Sequence, residues 1–381
     1  MLCLFALVGL WRAPLPVRAG AAPEPDASRA QLAALLASLP QWSVSTSARA
    51  AYGYKDNLLL SYVDPERSAF VRSGVELLLL RVPQGSFEFS GYLEGEGSHY
   101  FSARTSDQDS KVWLQLDPGY RLGEGLKVAL PVTGYFYDQV FDVSDTDVER
   151  RVAALKVRGV MAGPNVRWEW HRRWWLEVQG SAQRKRFDDG ANDGRIGEGA
   201  VRLAWLPGRR FEARISGARR WRTFDRREQY SAAGRSLPDT ALKISEREWE
   251  ARADVSLDRA GHWQATTRVS LLHYRDNGSG YFNYREQKAT QELEWRAEPW
   301  LVRIGGSASR LDFNVQKAGI GVDPPSRLKD EFVAEVHLER SLSERWTLLA
   351  SYLWERSRSN DAFASYRVNE GLLGLRWRWE K

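Results

Sequence analysis

The chain has 381 residues, 55 Lys or Arg against 49 Asp or Glu, and a formal charge of +6. That balance lacks the concentrated basic face a nucleic-acid binder needs, so no nucleic-acid partner is expected. The single cysteine, Cys3, excludes disulfides and cysteine-ligated metals, while 17 Trp is an unusual load that fits carbohydrate stacking or interfacial belts.

The N-terminus reads MLCLFALVGLWRAPLPVRAGAAPEPDA. Its apolar run over 2–11 is too short to cross a bilayer as a helix and suits the hydrophobic region of a signal peptide, with Ala19-Gly20-Ala21 as the small-residue cleavage site. No basic residue precedes the run, which a misplaced start would explain. Loss of residues 1–21 removes Arg12 and Arg18 and lowers the charge from +6 to +4. Residues 22–41 are rich in Pro and Ala and form either a short helix, capped by Asp26 or Ser28, or a plain tether.

From residue 42 the hydropathy alternates with period two. In EWEARADVSL (248–257), Trp249, Ala251, Ala253, Val255 and Leu257 share one face, and Glu248, Glu250, Arg252, Asp254 and Ser256 the other. WQATTRVSL (263–271) and EFVAEVHLE (331–339) repeat the pattern. Sustained alternation means strand. Runs of about 10–15 residues exceed the 5–6 of ordinary globular strands and match a tilted bilayer-spanning strand.

The connectors take turns. PQG (83–85), LGEG (122–125), HRR (171–173), PGR (207–209), RAGH (259–262), EP (298–299) and SER (343–345) are short; the segments between them, such as DDGANDG (188–194) and 225–243, are longer and polar. Short turns alternating with longer loops predict an all-β, antiparallel up-and-down transmembrane barrel over 42–381. We count sixteen strands. MAGPN (161–165) is either a bulge or a turn, and fourteen or eighteen strands remain open.

Trp168, Trp174, Trp205, Trp263, Trp295, Trp300, Trp346, Trp377 and Trp379 lie near the short turns or the C-terminus, which predicts one aromatic girdle in contact with outer-membrane lipid. Tyr52, Tyr54, Tyr100, Phe101, Tyr137, Phe187, Trp221, Phe224, Tyr274, Phe313 and Trp354 lie near the long loops and predict a second. Parity then points Glu177, Arg202, Arg214, Glu250, Arg252, Arg268, Glu294, Arg296, Arg303 and Glu335 into a lumen. Such a set either shapes a water-filled passage of weak ion selectivity or braces a closed wall.

Catalytic patterns are poor. The five His make no HxxxH or HExxH pair, and neither a cofactor nor a metal is expected. LLHYRDNGSG (271–280) is similar to the His-x-Ser segment of outer-membrane phospholipases, but Arg275 stands where the serine belongs. DDGANDG could hold a calcium ion through Asp188, Asp189 and Asp193, and reads more simply as a solvated turn.

YGYKDNLLLS (52–61), with Gly53, Tyr54, Asp56 and Asn57, followed by SAFVRSGVELLLLRVP (68–83), resembles the opening strands of bacterial outer-membrane barrels of the β-barrel porin group, which includes barrels associated with exopolysaccharide or surface-protein export. WERSRSNDAFASYRVNEGLLGLRW (354–377) resembles their last hairpin. The resemblance touches about a fifth of the chain and implies outer-membrane location, insertion by the barrel-assembly machinery, and a conduit for small solutes or a surface polymer, with a periplasmic or surface-polymer partner. A closed barrel that acts as an interaction protein is the alternative. The chain departs from the pattern at Glu380 and Lys381, which follow the final tryptophan where such barrels end on an aromatic.

Overall fold

The computed structural model describes residues 41–81, 85–104, 107–142, 152–319, 321–361 and 364–380. The expected leader and nearly all of the segment over 22–41 lie outside them.

The strands, in order, are β1 (Trp42–Lys55), β2 (Ser68–Arg81), β3 (Phe87–Tyr100), β4 (Gln108–Arg121), β5 (Leu126–Ala129), β6 (Val132–Asp142), β7 (Val152–Ala162), β8 (Asn165–His171), β9 (Trp174–Phe187), β10 (Gly194–Gly208) and β11 (Phe211–Phe224). A two-residue pair, β12 (Gln229–Tyr230) and β13 (Ser236–Leu237), sits in the following loop. Then come β14 (Lys243–Ser256), β15 (Trp263–Asp276), β16 (Tyr284–Ala297), β17 (Trp300–Lys317), β18 (Ser326–Ser341), β19 (Trp346–Ser359) and β20 (Tyr366–Glu380).

All but the small pair form one antiparallel sheet that closes on itself. β20 returns to β1 in continuous register from Ser45↔Glu380 to Lys55↔Glu370, so the sheet keeps no free edge. β5 and β6 are one stave, as are β7 and β8, giving a barrel of sixteen staves. The breaks inside these staves are prolines. Across the first, Ala129 and Val132 keep the register that pairs them with Gly119 and Leu116. Across the second, Ala162 and Asn165 pair with Ala182 and Gln179 without a slip. MAGPN is thus neither bulge nor turn. Pro118, Pro131 and Pro164 each accept the ladder hydrogen bond from their partners Leu130, Gly163 and Gly180, and lack the N–H to return it.

Burial is inverted relative to a globular protein. Large apolar side chains stand on the outside, with Ile215 61% and Trp249 62% exposed, while Glu94 at 7% and Asp254 at 8% are sheltered inside. Apolar residues outside and polar ones inside suit a wall between lipid and a polar lumen.

At the short-turn end the indoles tile the outer surface. Trp168 and Trp170 lie 5.4 Å apart by ring centroids, Trp170 and Trp174 6.5 Å, Trp174 and Trp205 6.1 Å, and Trp263 and Trp295 6.0 Å. Trp346 pairs with Trp377 across β19 and β20, and Trp300 carries Arg340 at 5.1 Å over its ring. The short turns are built tightly. In the 257–262 turn the Asp258 carboxylate accepts the Trp263 amide at 3.0 Å, and that bond, helped by His262, holds its pKa below the ordinary carboxylate value.

The second aromatic group departs from expectation. Tyr52, Tyr54 and Trp221 do face outward. Phe224, Tyr274 and Phe313 instead point into the barrel and are almost fully buried, as is Tyr100, and Tyr137 also lies on the inner face. Sorting aromatics by distance from the loops ignored the parity that decides which side of the wall each occupies.

Candidate functional site

The apolar outer band, the tryptophan girdle and the closed ladder fit one environment. The chain is an outer-membrane β-barrel. Its functional surface is therefore the lumen and the loops that roof it.

The register puts Glu177, Arg202, Arg214, Glu250, Arg252, Arg268, Glu294, Arg296, Arg303 and Glu335 on the inner face. Most bond to the stave beside them. Arg202 pairs with Glu177, Arg214 reaches Asp254 at 2.7 Å and Glu212 at 2.9 Å, and Arg268 reaches Glu292 at 3.2 Å. Glu294 takes both Arg296 at 3.0 Å and Arg303 at 2.8 Å. Glu250 and Glu335 form no ion pair among the described residues.

Two charge clusters were not singled out by sequence. In one, Arg220 on β11 takes Glu198 of β10 on one side and Glu246 (3.2 Å) and Glu248 (3.0 Å) of β14 on the other. In the other, Arg49 on β1 meets Glu76 at 3.0 Å, Glu94 at 2.9 Å and Glu96 at 2.5 Å. To reach β3 it lies over Gly74 of β2, where an added Cβ would stand 2.9 Å from Arg49 Nε. Lys111 joins at 2.9 Å from Glu94, and Arg72 bridges to Glu370 at 2.8 Å, across the seam where the barrel closes. The alternation of β1, with Tyr52 and Tyr54 outward, already points Arg49 inward. Its partners, 27 to 47 residues away, have no sequence signature.

The long-loop end is different. Phe224, Ile244, Leu272, Tyr274, Tyr284, Leu311 and Phe313 come from the inner faces of adjacent staves β11, β14, β15, β16 and β17. Leu242, Tyr281 and Phe282 of the 225–242 and 277–283 loops fold down on them, forming an apolar cap over that side of the lumen. Cations line its rim, with Arg222 4.1 Å above Phe224 and Arg327 4.4 Å above Phe313. Among the described residues, one bridge crosses the opening: fully buried Lys329 on β18 meets Asp142 at the end of β6 at 2.8 Å. These belong to the fourteenth and fifth staves, so the end of β6 leans over the lumen. The polar interior expected from alternation gives way at this level.

His273 lies on the outer face, in register with Arg247 and Arg285, and the Ser279 hydroxyl donates to the Tyr230 carbonyl at 2.7 Å. The two do not form a nucleophile and base. In the 188–193 turn Asp193 accepts the Phe187 amide at 2.6 Å and Asp189 the Ala191 amide at 3.1 Å, as carboxylates that cap a turn do.

No family model and no curated protein matches the chain. Among solved structures, it is similar to OmpT, an outer membrane protein of Vibrio cholerae, at 11% identity and TM-score 0.47 over 90% of this chain and 99% of that one. It is also similar to OccAB3 of Acinetobacter baumannii (7%, TM-score 0.47, 90% and 100% covered) and OpdQ of Pseudomonas aeruginosa (9%, TM-score 0.46, 90% and 100% covered). Likeness this remote concerns the shape of the barrel and carries no solute or partner across.

Proposed function

We propose that the barrel is a water-filled channel for small solutes, or for a surface polymer exported through it, and not a catalyst. One observation carries this reading: apart from the Asp142–Lys329 bridge at the loop end, the inner ion pairs among the described residues lie within one stave or join it to its neighbour or next neighbour, which holds the charges against the wall. Many of these side chains keep part of their surface in contact with the lumen, such as Arg202 at 38% and Arg303 at 44%. Mixed signs at short intervals predict weak ion selectivity.

A second reading, a closed barrel whose loops bind a surface partner, draws on the aromatic cap and the Asp142–Lys329 bridge at the loop end. Planar bilayers separate the two. Purified folded protein is expected to give stable conductance steps with reversal potentials near zero in a salt gradient. Silence from protein that shows the heat-modified gel shift of a folded barrel would sink the channel and leave the interaction reading.

A further inference from the structure

The inner wall carries one feature that its charge lattice does not explain. On β4 and β6, Trp113, Tyr135 and Tyr137 point into the lumen, half-buried, where the surrounding inner face is polar. Trp113 and Tyr135 pair directly across the two strands, with centroids 5.9 Å apart and planes 19° apart. Tyr137 continues the row at 5.4 Å from Tyr135. The row climbs the wall towards the loop end.

Its construction presents ring faces. Tyr135 lies on β7 at Gly159, where an added Cβ would fall 2.3 Å from the Tyr135 hydroxyl oxygen and 2.4 Å from Cζ. Only glycine there lets the ring lie against the backbone. Gln183 donates to the Tyr135 hydroxyl at 2.9 Å and fixes the ring's far end. The Trp113 indole N–H is buried with no hydrogen-bond partner among the described residues, so structural hydrogen bonding does not account for that ring.

Aromatic faces exposed to a wet lumen cost free energy unless something covers them. The ligand that matches is a molecule with apolar C–H faces and a rim of hydroxyls. Around the rings the parity places the amides of Gln115 and Gln139, and Gln115 also donates to Asp117 at 2.7 Å. Charges of both signs stand beside the row: the Asp117 carboxylate next to Gln115, and Lys185, in register with the Gly159 that the Tyr135 ring covers, while Glu94 is held by Arg49 and Lys111. With single charges of opposite sign beside it, the row gives an anionic chain no net attraction, and its rings and amides match the C–H faces and hydroxyls of an uncharged pyranose chain. We propose that Trp113, Tyr135 and Tyr137 form a saccharide-binding track on the channel wall, on which successive sugar rings of a neutral oligosaccharide or polysaccharide stack. This deepens the channel reading and rests on it for its use.

Binding is measured by calorimetry, which does not require conduction. The folded barrel in the sugar-free detergent lauryldimethylamine oxide is titrated with maltohexaose, cellohexaose and isomaltohexaose. At least one should bind, and Trp113→Ala and Tyr135→Ala should each weaken it about tenfold or more, as loss of one stacked ring does elsewhere. Trp113→Phe should retain most of the affinity, and Trp249→Ala, a lipid-facing ring, all of it. No heat with any of the sugars, or equal affinity in the folded ring variants, overturns the track. A barrel that conducts but binds no sugar refutes this inference alone. One that binds sugar but never conducts refutes the channel and leaves the track standing.

Discussion

Gly374→Val is expected to keep most of the protein from closing into a barrel. Gly374 sits on β20 opposite Ala51 of β1, in the seam that joins the last stave to the first. A Cβ added there would lie 2.4 Å from the Ala50 carbonyl oxygen, 2.5 Å from Ala51 Cβ and 2.7 Å from Ala51 Cα. These are backbone and near-backbone atoms, so no side-chain rotation relieves the clash. Overpacking a tight site costs about 1–3 kcal/mol, and a valine against main chain belongs at or above the upper end. An open seam also exposes two edges of unpaired N–H and C=O groups to lipid, where each costs several kcal/mol. Unheated samples should therefore run mainly as the unfolded band on SDS gels. Gly95→Val is the control. Nothing stands within 4 Å of an added Cβ there, and it should fold like the parent.

Arg49→Ala is expected to lower stability by about 2 kcal/mol and to make the channel more cation-selective. Removing one partner of a buried ion pair costs about 3–5 kcal/mol because the other charge is stranded. Arg49 keeps 25% of its side chain exposed, which reduces that figure. Three carboxylates lose it at once, although Lys111 and Arg72 still hold Glu94 and Glu96. Glu76 has no other ion pair among the described residues and is left with the Ser47 hydroxyl at 3.2 Å. Adding Glu76→Gln to Arg49→Ala should thus recover part of the loss, and the double-mutant cycle in urea unfolding measures the coupling. Reversal potentials of both variants read the selectivity. Unchanged stability in Arg49→Ala would show that the cluster is solvated and contributes little.

The staves were legible because a wall between two solvents writes its parity into every second residue. Trp249 against Glu250, or Val336 against Glu335, fixes a whole strand. The lower girdle was legible because tryptophan recurs beside the short turns. The upper end was not, for a physical reason. There the parity that turns Trp221 and Leu271 outward turns Phe224, Tyr274 and Phe313 inward, and the 225–242 and 277–283 loops cover them. Alternation gives the side of the wall on which these rings stand, but not the loops that fold down on them. The Asp142–Lys329 bridge joins distant staves and the reach of Arg49 over Gly74 passes one stave to the next, so both follow from how the staves assemble and not from local spacing. Trp113, Tyr135 and Tyr137 are ordinary β-formers in sequence, and become a track only when β4 and β6 bring them into register.

The central claim is a two-sided wall around an accessible lumen, and cysteine labelling tests it most directly. The chain's own cysteine, Cys3, precedes the barrel, so single cysteines placed along β14 of a Cys3→Ser protein report one site each. In intact membranes, Glu250→Cys, Arg252→Cys and Asp254→Cys should react with a charged, water-soluble thiol reagent, while Trp249→Cys, Ala251→Cys and Ala253→Cys should stay unmodified. Uniform labelling, or protection of all six in folded protein, would contradict it.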